Sequence, residues 1–339
     1  MSTLINTTFD SIYLTSNLPD EVEIETLTPQ VTVAIKVDDT EVFKSDYYPY
    51  AQKVYFRDVR SIVESAMQQM GLAIATFVFS VKDLESYTKS SGEIKVVYSE
   101  LKSSTTSEVY LTKHFLSTRK SALLSRSCPF FLYVFSKAYE QCSNYCIIYY
   151  YPSYAPSQLL SLRYDFNSKL SEKQEILSVS ADYSDFQAIL ESKNIFNATV
   201  LHVYFCTSPR VFDIYFTSDA PSDTFQFLNN FNLMETVCLF GATTTKTEIS
   251  RSEAVQGRIT SFYDVTMRVK HEVETAPLTY DEARHLIQLL TSRSITRCVA
   301  GDTYAPVIIT DCTPEITDNI STPIRLKFTY EYNDQTEWL

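Results

Sequence analysis

Glycine is scarce in this sequence: 5 residues in 339, beside 1 tryptophan and 4 histidines. Loops that cradle phosphate need backbone without a Cβ against the ligand, so this scarcity weighs against nucleotide binding. Neither a P-loop nor a dinucleotide-binding glycine pattern occurs, and the G-x-S-x-G nucleophile elbow is also missing. So few histidines leave little choice of general base. His271-Glu272 is followed by Val273, Glu274 and Thr275, which removes the second histidine of a zinc H-E-x-x-H. The seven cysteines (128, 142, 146, 206, 238, 298 and 312) contain no C-x-x-C pair and read as reduced, buried thiols. Cys142 and Cys146 have the wrong spacing for a metal site and no histidine nearby. No apolar run approaches the ~20 residues that span a bilayer. The start, Met1 to Phe9, lacks the basic and apolar regions of a signal peptide. Positive charge is short too: 29 Lys and Arg against 41 Asp and Glu, a net −12. Such a surface repels phosphate backbones, so sequence-specific nucleic-acid binding is not expected. It suits solubility, or a wall past which DNA slides.

What is abundant is aromatic: 24 Tyr and 21 Phe in a chain that is 45% hydrophobic. Aromatic and β-branched residues fit a pleated, half-buried surface. The expected class is mainly β: two or three β-sandwich or barrel-like domains, each with at most one or two amphipathic helices. The blocks are 1–120, 121–220 and 221–339, the last an α+β-style module. In the first, Val31, Val33, Ile35 and Val37 alternate with polar partners as in a strand. Val59, Ile62, Val63, Ala66, Met67 and Met70 share one helix face, with Asp58 as N-cap and Gly71 as C-cap. Ala73–Val81 and Glu93–Ser99 read as strands, Asp83–Gly92 as a loop. Asp20, Glu21, Glu23 and Glu25 interleave with Val22 and Ile24 as the polar face of an edge strand. The middle block reads as strands near 130–135, 145–151, 159–166, 175–179, 200–206 and 211–217, with Thr207–Arg210 as a turn. Asp219–Asp223 is the best linker.

The third block contains a long amphipathic strand from Ile259. Its pattern puts Tyr263, Val265, Met267, Val269 and Val273 on a core shared with Leu286, Ile287 and Leu290; Phe262 alone is out of phase. His271 reads as a core or rim histidine. Thr279-x-x-Glu282 is a capping box that starts a helix over 279–291. Strands over 306–310 and 324–332 follow. Asp311, Glu315 and Asp318 match no calcium loop and read as a solvated acidic loop. No catalytic, cofactor-binding or metal-binding residues emerge.

Several strings in this block carry a family resemblance. They are Asn229-x-Phe231-Asn232-x-x-Glu235-Thr236, Thr244–Thr247, Arg251-Ser252-x-Ala254-Val255, and Glu274–Thr279 with Asp281–Ala283. Ile309–Asp311 and Phe328–Tyr332 continue it, with a weaker likeness over 48–64. The sequence resembles distal-tail-like tail and baseplate proteins of tailed phages and prophages of Bacteroides-type bacteria. The resemblance implies a virion structural protein, made in the host cytoplasm, that forms a ring of six or three copies around the DNA channel. Its partners would be itself, the tail tube and other tail, baseplate or fibre proteins, with no membrane insertion. Residues 243–252 then read as an arm reaching a neighbouring subunit through Lys246, Glu248 and Arg251, or as an ordinary exposed hairpin. The middle block would be a peripheral domain carrying fibres or receptor-binding proteins. Two other classes stay open. One is a carbohydrate- or receptor-binding adhesin-like module using exposed tyrosines. The other is a glycan-active enzyme, whose paired carboxylates need not be neighbours in sequence.

Overall fold

The computed structural model describes residues 3–84, 88–136, 144–166, 174–256, 259–300, 303–316 and 323–334. The fold is mainly β, with 54% strand and 15% helix. The first part contains β1 (Leu4–Ile5), β2 (Ile12–Leu14), β3 (Glu21–Glu25), β4 (Val31–Val37), β5 (Thr40–Tyr47) and β6 (Lys53–Arg57). Helix α1 (Val59–Met70) follows, then β7 (Ile74–Asp83), β8 (Thr88–Ser90) and β9 (Ile94–Val97). A three-stranded sheet, β1-β3-β6, faces a larger one in the order β2-β9-β7-β4-β5, with β8 beside β7. Val22, Ile24 and Phe56 meet Val33, Ile35, Phe77 and Phe79 between them, with Val63 and Met67 of α1 in the same core.

The middle part contains α2 (Ser107–Lys113), β10 (Ser121–Ser125), β11 (Phe131–Ser136), β12 (Asn144–Tyr151), β13 (Leu160–Phe166) and β14 (Glu175–Ser180). Helix α3 (Tyr183–Ser192), β15 (Thr199–Thr207) and β16 (Arg210–Thr217) complete it. The five-stranded sheet β10-β16-β15-β12-β13 packs with the β11-β14 pair and α3 around Ile148, Phe186, Phe205 and Phe212. The last part contains β17 (Asp223–Leu228), β18 (Met234–Leu239), β19 (Gly241–Gln256), β20 (Ile259–Thr275), α4 (Tyr280–Thr291), β21 (Ile295–Ala300), β22 (Thr303–Cys312) and β23 (Lys327–Tyr332). They form one seven-stranded sheet, β18-β17-β21-β22-β23-β20-β19. Helix α4 lays Ala283, Leu286, Leu289 and Leu290 on its Phe225, Phe227, Phe328 and Tyr330. Its capping box is formed: Thr279 N–H donates to the Glu282 carboxylate at 2.8 Å, and Glu282 N–H donates to Thr279 Oγ1 at 3.3 Å.

Five expectations need correction. Glu21–Glu25 is the centre of its sheet, not an edge; Glu23 and Glu21 pair with Lys53 and Arg57 of the neighbouring strand at 2.6 and 2.9 Å. Asp58 does sit at the N-cap of α1, but in the left-handed region (φ 66°) with no capping bond from its side chain. Thr88–Ser90 is a strand within the expected 83–92 loop. Asp223 is no free linker residue: it is buried and receives Arg297 Nε at 2.5 Å. Asp311 lies in β22 opposite Thr329, not in a loop, and Asp318 lies outside the described residues, as does Cys142. Helices α2 and α3 were not anticipated. Thr106 Oγ1 caps α2 by accepting from Val109 N–H, and Tyr183, Phe186 and Leu190 give α3 its buried face.

Candidate assembly interface

Strands β19 and β20 form a ribbon that outruns its sheet. They pair with each other from Gly241↔Thr275 to Gln256↔Ile259. The next strand, β23, covers β20 only from His271 to Glu274. Beyond Lys270 the ribbon has two strands and two open edges among the described residues. The expected core along β20 therefore ends almost at once. Val273 is 2% exposed, whereas Met267, Val265 and Tyr263 are 43%, 58% and 72% exposed. Val269 is half-buried, and under α4 the buried position beside Leu286 and Leu290 is Leu289 rather than Ile287.

The two faces of the ribbon differ. Directly opposed residues share a face, so Val269 stands with Thr247, Met267 with Ile249, and Val265 with Arg251. The register then shifts between Ser252 and Glu253, and Phe262 pairs with Glu253. This bulge makes Tyr263 the extra residue and swings Phe262 onto the apolar face. The Arg251 guanidinium lies 5.3 Å from the centre of the Phe262 ring, which places both on that face. The result is one apolar stripe: Val269, Met267, Ile249, Val265 and Phe262. The other face is ionic, with Lys246 to Glu272 at 2.5 Å and Lys270 to Glu248 at 2.9 Å. Of the three expected arm residues, Lys246 and Glu248 are thus paired within their own ribbon. Arg251 is on the opposite face, beside the stripe.

The ribbon is held at its root by close packing. A Cβ on Gly241 would lie 2.1 Å from the carbonyl oxygen of Glu274, so only glycine lets the strands meet there. His271 stacks on Tyr330 with ring centres 4.8 Å apart and shares a hydrogen bond with Thr245 Oγ1 at 3.1 Å, a rim position. Burial pushes its pKa down.

Behind the root is a buried polar junction between the last two parts. Arg119 Nε lies 2.7 Å from Glu235 Oε1, and Arg119 also donates to the Thr236 carbonyl at 2.7 Å. His285 Nε2 is 3.4 Å from the same carboxylate, and its Nδ1 is 3.0 Å from Thr118 Oγ1. Gln288 donates to that hydroxyl, which orients the hydroxyl proton toward His285. Burial pushes the imidazole down to about 4 against the pull of Glu235, so it is neutral at pH 7. Burial also pushes the Glu235 carboxyl up. His285, which carries its proton in the acid range where Glu235 titrates, together with Arg119 and the bonds from Asn229 and Ser117, outweighs this and holds the carboxyl below the usual range. Asn229 stitches further: its Nδ2 donates to the Leu116 carbonyl at 2.9 Å, and its Oδ1 accepts from Phe231 N–H at 2.9 Å. Phe231 enters a small core with Ile12, Leu14, Val97, Leu111, Leu116 and Phe135, drawn from all three parts. Asn232 donates to the Leu72 carbonyl at 3.1 Å. The Asn229–Thr236 string is therefore structural mortar. Its partners Arg119, His285 and Gln288, with Thr118 bonded behind the last two, were missed because no local pattern links residues 118 and 285.

The outer face of the middle sheet gathers rings in a row. Tyr149, His202 and Tyr215 are opposed across three strands, with centres 5.1 and 4.4 Å apart and planes within 10° and 7°. Rings stacked on one another cover their own faces, so this ladder is not a flat platform for a sugar. More open are Tyr154 and Phe196, 80% and 58% exposed on loops joined by a Ser153 Oγ to Phe196 carbonyl bond of 3.3 Å. Among the described residues no group of three or more His, Cys, Asp or Glu is placed to hold a metal. The described cysteines are free; Cys128, Cys146, Cys206 and Cys238 are buried, Cys298 is half-buried, and Cys312 is exposed.

No family model matches this chain, and no curated protein does. Among solved structures it aligns with the full extracellular region of plexin A4, over 100% of this chain and 40% of that one. The identity is 10% and the TM-score 0.23, too low to carry any argument about fold or function.

Proposed function

We propose that this chain is a structural subunit of a phage tail or baseplate, forming a ring around the DNA channel and linking the tube to distal components. The observation that carries its assembly role is the ribbon: an apolar stripe on a two-stranded projection, uncovered by any of the described residues. Two-stranded ribbons are marginal alone, and open edges invite pairing with another chain. A ring made by heterologous contacts closes when the rotation between subunits divides the circle. The resemblance supplies the virion context and six copies, with three as the alternative nearer the tip. The acidic balance suits a lumen that repels DNA. Electron cryomicroscopy of virions tests the reading. Density for this chain in a closed ring on the tail axis is expected; one or a few copies at a fibre tip overturn it.

A second reading, receptor or glycan binding by the middle part, is favoured by one feature, the exposed Tyr154–Phe196 pair at the loop end of that part. A glycan array probed with the natural chain and with Tyr154→Ala decides it. Binding lost in the variant supports it, and no binding by the natural chain removes it.

A further inference from the structure

Two cysteines meet where two sheets touch edge to edge. β10 is the first strand of the five-stranded sheet and β18 the first of the seven-stranded one, and the two lie side by side. Cys238 is carried by β18. Cys128 follows β10 on a turn closed by its own N–H to the Ser125 carbonyl at 3.0 Å. Both are buried in one core, and their thiols are in hydrogen-bonding contact. Thr224 Oγ1 donates to Cys238 Sγ at 3.9 Å from the neighbouring strand. The contact gives the two sulfurs different roles. The bond from Cys128 draws the Cys238 thiol down against the push of burial, helped by the Ser125 backbone, Thr224 and Arg119. Cys128, as the donor and under burial, is pushed up. Cys238 also lines a cavity of about 100 Å³ beside Ala122 and Leu239, room for a molecule little larger than water.

We propose that Cys128 and Cys238 are a peroxide-responsive pair that closes to a disulfide, stapling the middle part of the chain to the last. The Cys238 thiolate is the nucleophile and attacks one oxygen of hydrogen peroxide. The O–O bond breaks, and the hydroxide released takes up the proton that Cys238 gave. The sulfenic acid so formed condenses with the Cys128 thiol. The S–S bond forms, the S–O bond breaks, and the oxygen leaves as water with the Cys128 proton. This stands apart from the assembly reading: a chain that forms no ring still carries the pair.

The test uses the full chain, reduced, freed of reductant and treated with hydrogen peroxide. Remaining thiols are capped with N-ethylmaleimide in denaturant, and the unreduced digest is mapped by mass spectrometry. The expected product is a peptide pair joined through 128 and 238, lighter by the two thiol hydrogens and lost with dithiothreitol. The joined chain should also unfold at higher urea, an effect that dithiothreitol reverses. Cys128→Ser should raise dimedone tagging of Cys238 several-fold, because nothing then resolves its sulfenic acid. Should that variant fail to fold, the natural chain alone decides. Both thiols capped after peroxide, oxidation that stops at Cys238 without the link, or a link to Cys298 instead overturns the proposal. An unchanged urea midpoint overturns the staple, and equal tagging in variant and natural chain overturns the order of attack.

Discussion

The root and the tip of the β19–β20 ribbon have the same alternating pattern and opposite fates. Val273 at the root is buried under β23 and α4; Val265, on the same strand, stands in solvent. Alternation decides which residues share a face. It does not decide whether a second layer covers that face, because cover is supplied by residues far away in sequence. Here β23 stops pairing at His271, and beyond it no described residue of the chain covers the stripe. That uncovered apolar face is what the proposed assembly contact rests on.

The sharpest way to break the comparison is at the junction behind the root. Glu235→Gln strands Arg119 in a buried site without its counter-charge, and should cost ~3–5 kcal/mol in urea unfolding. A loss under ~1 kcal/mol would mean the junction does not hold the last two parts together. Next, paired truncations measure the contrast itself. Leu286→Ala at the root should cost ~2–5 kcal/mol, while Met267→Ala on the stripe should stay within ~0.5 kcal/mol in the dilute chain. Equal costs would mean that the stripe is covered after all.

Acid should loosen the root before the tip. His285 has a folded pKa of about 4, against about 6.5 in an unfolded chain. Between those values the unfolded chain binds the proton and the folded one does not, so stability falls as pH falls from 6.5 to 4. The loss is roughly 3 kcal/mol. Glu235, also held low, loses its contribution in the same direction, as pH falls through its folded pKa. A denaturation midpoint flat across that window, or rising toward acid, contradicts the buried neutral imidazole. The smallest effect belongs to the ionic face. Lys246→Ala removes an exposed pair and should change stability by under ~1 kcal/mol, less in high salt. A larger change would put that face under cover.

How much was legible in the sequence follows the same division. Local signals were readable: the Val31–Val37 alternation, the Thr279–Glu282 box, and the one-sided face of α1 all correspond to built elements. Helix α3 had its signal too, since Tyr183, Phe186 and Leu190 fall at helical spacing behind Asp182. The out-of-phase Phe262 was seen, but its meaning depended on a register shift that only the partner strand reveals. The edge position assigned to Glu21–Glu25 failed for a similar reason. Its alternating charges face Lys53 and Arg57, some thirty residues on, and flanking charge reads alike on an edge and in a cross-strand ion-pair row. Over 243–256 the hairpin was legible and the placing of its side chains on two faces was not. Lys246 and Glu248 are spent within the ribbon, while Ile249, Val265, Met267 and Phe262 present the surface.

Amide hydrogen exchange on the full chain, followed from dilute to concentrated solution, tests the central claim most directly. Amides at 271–275, in the paired root, should exchange slowly at every concentration. Those at 259–269 should exchange quickly in dilute protein and become protected as the concentration rises. Protection of 259–269 already present in the dilute monomer, or absent at the highest concentration reached, would contradict the account.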